Sequence, residues 1–84
     1  MKRKQRINNL LLNKFKEFSI EIIDNSHLHI GHNNFNGKQE SHFQIILKCK
    51  FFQNFNRLQI HRKINQLLEE EFKDGLHSLE IIIK

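Results

Sequence analysis

The chain is 84 residues long, with 14 Lys and Arg against 9 Asp and Glu, a formal net charge of +5, 38% hydrophobic residues and one cysteine. This length supports one modest hydrophobic core, expected as a single domain over residues 1–84; a lone cysteine excludes an internal disulfide, and no apolar run approaches the roughly 18 residues of a membrane span. A soluble protein in a reducing, cytoplasmic setting is the expectation, and the positive balance makes nucleic acid a candidate partner, because clustered Lys and Arg release counterions from phosphates.

The opening MKRKQR carries Lys2, Arg3, Lys4 and Arg6, and residues 1–6 read as a flexible, solvated basic tail. From Ile7 to Phe18, the residues Ile7, Leu10, Leu11, Phe15 and Phe18 recur at the spacing of one helical face, which predicts a first helix. Ser19–Asp24 (SIEIID) is β-branched and nearly alternating, a short strand that stops where Asp24, Asn25 and Ser26 offer turn chemistry. Asn25–Glu40 has no period, contains Gly31 and Gly37, and reads as a long loop of the kind that is usually functional or disordered.

Ser41–Phe51 (SHFQIILKCKF) is the clearest strand, with Phe43, Ile45, Leu47, Cys49 and Phe51 on one face and His42, Gln44, Lys48 and Lys50 on the other. Cys49 is thereby expected to point into the core. After a polar break at Gln53 and Asn54, a second helical pattern begins at Leu58 or Ile60 and continues through Ile64, Leu67, Leu68 and Phe72 until Asp74 and Gly75 end it. Glu69, Glu70 and Glu71 read as its solvated face. His77–Lys84 (HSLEIIIK) is a third strand. The order predicts an α+β fold with helices on one face of a three-stranded mixed sheet, strands one and two antiparallel, strands two and three parallel across the helical crossover.

The ligand-type side chains are His27, His29 and His32 in the loop, His42 opening strand two, His61 on helix two and His77 opening strand three. Neutral imidazole is a good ligand for zinc or iron, but spacing alone leaves two readings open, a three-histidine mononuclear site and polar loop residues making hydrogen bonds. The second ligand pair of a zinc finger and a His-Glu-x-x-His helix are both missing. A Cys49 on a buried strand face is a poor nucleophile, and no phosphate cradle or nucleophile elbow is present, so no enzyme is expected. The segment RLQIHRKINQLL presents Arg57, His61, Arg62 and Lys63 either as a recognition helix or as charges flanking a helix that packs on the sheet. The Gly-x-x-Gly clamp of RNA-binding KH modules is not there.

Taken together, DNSHLHIGH, ESHFQIIL, IHRKINQLLEEEF and GLHSLEI, in this order over Asp24–Ile81, resemble the BolA family. The resemblance implies a class II KH-like fold of order α-β-β-α-β, with room for a short extra helical turn before the second long helix and a helix-turn-helix-like segment over residues 52–72. It also implies an adaptor, monomeric when isolated, that forms a heterodimer with a monothiol glutaredoxin and binds one [2Fe-2S] cluster jointly with it and with glutathione, in cluster assembly, trafficking or iron sensing. Sulfur ligands would come from the glutaredoxin and glutathione, and this chain would offer His77 and a loop histidine, His32 first, with His29 and His27 as alternatives. The isolated protein is expected to hold no cluster. The alternative that the resemblance implies is a DNA-binding transcriptional regulator using Arg57, His61, Arg62 and Lys63. One departure bears on it: Ile60 stands where the family commonly has Arg before the His-Arg pair, which removes a guanidinium from that surface.

Overall fold

The computed structural model describes residues 2–26, 41–50 and 55–84, with the order α1 (Arg3–Leu12), β1 (Phe18–Asp24), β2 (His42–Cys49), α2 (Arg57–Leu67), α3 (Glu69–Lys73) and β3 (Ser78–Ile83). β2 is the central strand. β1 lies antiparallel to it, with Ile22 opposite Ile45, and β3 lies parallel, with Ile81 opposite Ile45. The α+β order and the mixed three-stranded sheet expected from the sequence are present. The extra helical turn expected ahead of α2, and His27, His29 and His32, lie outside the described residues. No helix among the described residues is long and apolar enough to cross a membrane.

The two-residue period of β2 decides which face the helices cover. Phe43, Ile45 and Leu47 are buried in one core with Ile7 and Leu11 of α1, Phe15, Ile22 of β1, Ile60 and Ile64 of α2, and Leu68. Each such fully buried aliphatic side chain contributes about 1.5–3 kcal/mol of transfer free energy. On the opposite face His42, Gln44 and Ile46 are half-buried and Lys48 is exposed. Cys49 belongs to the core row but is only half-buried, because it sits at the end of β2 where helix cover runs out.

The helix boundaries differ most from the sequence expectations. α1 starts at Arg3 and stops at Leu12, so the supposed basic tail is, from Arg3 onward, helix. Asn13 ends it, with its Nδ2 bonded to the Asn9 carbonyl, and turns carry Phe15 and Phe18 to the core while Leu10 is left 38% exposed. The second helical pattern is two helices: Asn56 Oδ1 caps α2 by accepting from Gln59 N–H at 3.1 Å, and a break at the fully buried Leu68 separates it from α3. Glu71 is buried and Phe72 36% exposed, as the helical period counted from Ile60 and Ile64 places them.

Glu71 is therefore not part of a solvated face. Its Oε1 accepts from Arg3 Nε at 2.9 Å and its Oε2 from Arg6 Nε at 2.8 Å. Arg3 Nη2 also donates to the Asp74 carbonyl at 2.7 Å. A buried guanidinium requires such partners, and it is this requirement that orders the residues before Ile7. Gly75, at φ +116°, then takes a backbone conformation that side chains disfavour and returns the chain toward β3.

The Glu71 carboxyl is held below its ordinary range chiefly by the hydrogen bond from Arg6, against the opposing effect of burial, with Arg3 adding to it. A depressed folded value means that this stabilisation is complete above the unfolded carboxyl's pKa and is lost as pH falls through the folded value. Glu71→Ala is expected to lower stability by about 3 kcal/mol at neutral pH, since it strips the buried Arg3 of its buried counter-charge and leaves it the exposed Asp74 carboxylate at 3.2 Å. In urea titrations repeated at falling pH, the gap between wild type and variant should narrow as Glu71 protonates.

Candidate functional site

The parallel pairing of β2 and β3 brings the starts of both strands to one end of the sheet, with His42 opposite Ser78. Ser41, just before β2, offers its carbonyl to two N–H groups from the other strand, those of His77 at 2.6 Å and Ser78 at 3.1 Å. The imidazoles of His42 and His77 lie side by side, with centroids 5.5 Å apart and an interplanar angle of 35°. Ser41 Oγ lies 2.8 Å from His42 Nδ1. His77 is exposed and His42 half-buried.

The same corner closes the base of the histidine segment. Ser26, which precedes it, is 1% exposed. Its hydroxyl accepts from the N–H groups of Ser41 at 2.8 Å and His42 at 3.1 Å, and Asp24 Oδ1 accepts in turn from the Ser26 N–H and hydroxyl. Asn25 N–H donates to the His42 carbonyl at 2.8 Å. Residues 26 and 41, which flank His27, His29 and His32 in the chain, are thus one hydrogen bond apart and adjoin His77.

The other candidates stand elsewhere. Cys49 is seven residues along β2 from His42, about 23 Å at strand rise, and is out of reach of this pair. Arg57, Arg62 and Lys63 are exposed and His61 half-buried on α2. With Ile60 and Ile64 facing the core, helical geometry puts Arg57 and His61 on one flank, Arg62 outward and Lys63 on the other flank beside Gln59, so the four do not converge on one face. The Arg57 guanidinium sits 5.3 Å from the Phe55 ring centre, a cation–π contact.

Among the described residues no three ligand-type side chains converge on a metal position. What the corner offers among the described residues is a pair of imidazoles, an incomplete donor set for a metal. Sequence reasoning counted His42 among the ligand-type side chains and Ser26 among turn residues, but placed neither of them, nor Ser41, in the candidate site. The available signal was the parallel pairing itself, which places the first residues of the two strands side by side.

A family model described as BolA-like protein matches residues 11–84. Protein BOLA1, chloroplastic, of Arabidopsis thaliana is 33% identical over 98% of this chain, which spans about half, 52%, of its length. The DNA-binding transcriptional regulator BolA of Haemophilus influenzae is 33% identical over 92% of this chain and 71% of its own. Among solved structures, the BolA domain of SufE1 from Arabidopsis thaliana matches with a TM-score of 0.79 at 33% identity, covering 100% of this chain and 92% of that one.

Ser26→Ala removes the acceptor of two buried N–H groups and is expected to cost about 1–3 kcal/mol. Hydrogen exchange at the Ser41 and His42 amides should accelerate before that of the β2 interior. Unchanged protection at both amides would show that the hydroxyl does not hold this corner.

Proposed function

Because the chain belongs to the family of BolA-like proteins, we propose that it serves as a non-enzymatic iron–sulfur adaptor, holding one [2Fe-2S] cluster jointly with a monothiol glutaredoxin and glutathione. His77 is the ligand from the folded core, and His32, ahead of His29 and His27, is the ligand from the histidine loop. The observation that carries this reading is the bond from His77 N–H to the Ser41 carbonyl, which ties an exposed imidazole to the residue that follows the histidine-bearing segment 27–40 in the chain. Cys49 is too remote to help, so the sulfur ligands come from the partner and from glutathione. Two imidazoles in place of thiolates leave a cluster less negative and raise its reduction potential, a property suited to sensing or hand-over.

A second reading has a specific observation behind it, the Haemophilus influenzae relative described as a DNA-binding transcriptional regulator. Here it would use the exposed Arg57, Arg62 and Lys63 with His61. Their spread around α2 favours contacts to phosphates over reading of base edges.

Anaerobic reconstitution with a monothiol glutaredoxin and glutathione separates the two. The adaptor gives visible absorption and circular dichroism bands distinct from those of the glutaredoxin homodimer, and His77→Ala weakens or alters them; an unchanged homodimer spectrum ends the reading. A DNA-binding protein shifts a duplex in a gel, and Arg62→Ala with Lys63→Ala lowers both the affinity and its salt slope.

A further inference from the structure

Among the described residues, the ring centres of His42 and His77 lie 5.5 Å apart. Zinc–imidazole bonds of about 2.0–2.1 Å put a ring centre about 3.2 Å from the ion, so two rings on one tetrahedral ion have centres about 5.2 Å apart. The observed 5.5 Å is within roughly 0.3 Å of that, a side-chain adjustment.

Ring packing alone tolerates the same distance, but three further features favour a cation. Ser41 Oγ lies 2.8 Å from His42 Nδ1; in the tautomer that carries its proton on Nδ1 the ring donates to this hydroxyl and presents the Nε2 lone pair, and outer-sphere bonds of this kind orient metal-bound imidazoles. The two backbones are already joined, His77 N–H to the Ser41 carbonyl at 2.6 Å, so little ordering cost is left for binding. An exposed His77 beside a half-buried His42 gives an ion a path in.

We propose that His42 and His77 form a two-imidazole site for one borderline divalent cation, of which zinc is the type, in the free protein. Imidazole suits this class of ion, whereas calcium and magnesium take oxygen ligands. Two protein ligands leave the remaining positions to water, which makes the site exchangeable and unlike a closed structural zinc centre. It shares His77 with the proposed cluster site but does not rest on that reading: a cation on the pair and a cluster on His77 exclude one another.

The test is a zinc chloride titration of the tag-free full chain, followed by NMR of its imidazole nitrogens, with neither glutaredoxin nor glutathione present, so this proposal and the cluster reading fail separately. His42 and His77 are expected to shift together and saturate at one equivalent, and to do so still in a variant carrying His27→Gln, His29→Gln and His32→Gln. His42→Ala should lower zinc affinity by about tenfold or more. Shifts confined to the loop histidines, a loop variant silent at His42 and His77, or a folded His42→Ala protein with undiminished affinity would overturn the proposal. The wild-type shift map decides the matter even if His42→Ala fails to fold.

Discussion

The carbonyl of Ser41, accepting at once from His77 and Ser78, is the contact on which the functional corner depends. It begins the parallel β2–β3 ladder and sets the register that continues through Phe43 opposite Leu79 and Ile45 opposite Ile81. Because a strand's side chains alternate, a slip of one residue here would move Leu79 and Ile81 from the helix-covered face to the open one. The register that buries the core row is thus the one that brings His77 beside His42. Core packing and site geometry are consequences of one hydrogen-bond pattern.

The backbone leading into His77 is held from two directions. On one side Ser26, anchored by Asp24, ties down Ser41 and His42. On the other, Arg3 donates to both Glu71 and the Asp74 carbonyl, Leu76 N–H returns to the Glu71 carbonyl at 2.9 Å, and the Leu76 side chain is buried at 3% exposure. The turn through Gly75 has little freedom left, so an exposed imidazole projects from a fixed backbone. Fixed backbone beneath an accessible side chain is the arrangement that reduces the ordering cost of ligand capture.

The ion-pair cluster also ties the end of the α2–α3 segment to α1. Counted at helical period from Ile60 and Ile64, Glu71 falls within the core-facing stripe and Phe72 about a quarter turn outside it. Phe72 is accordingly 36% exposed, and Glu71 lies against α1. Arg3 and Glu71 are 68 residues apart in sequence, and neither looks unusual in its own neighbourhood. Arg3 sits in a run of basic residues and Glu71 in a run of acidic ones, each the ordinary composition of a solvated helix turn.

By itself the sequence determined what local periodicity and motif order can carry. The alternation from Phe43 to Leu47 specified a half-covered central strand, the apolar spacing of Ile7 with Leu11 and of Ile60 with Ile64 specified two packing helices, and the ordered blocks from Asp24 to Ile81 pointed to the family. Only the tertiary structure decided which partners meet: Arg3 with Glu71, Ser26 with Ser41, and His42 with His77. The reason is physical. Backbone hydrogen bonding and burial of an apolar face are read over a few neighbouring residues, whereas the meeting of two polar side chains depends on strand register and helix rotation, which are set by the packing of the whole core.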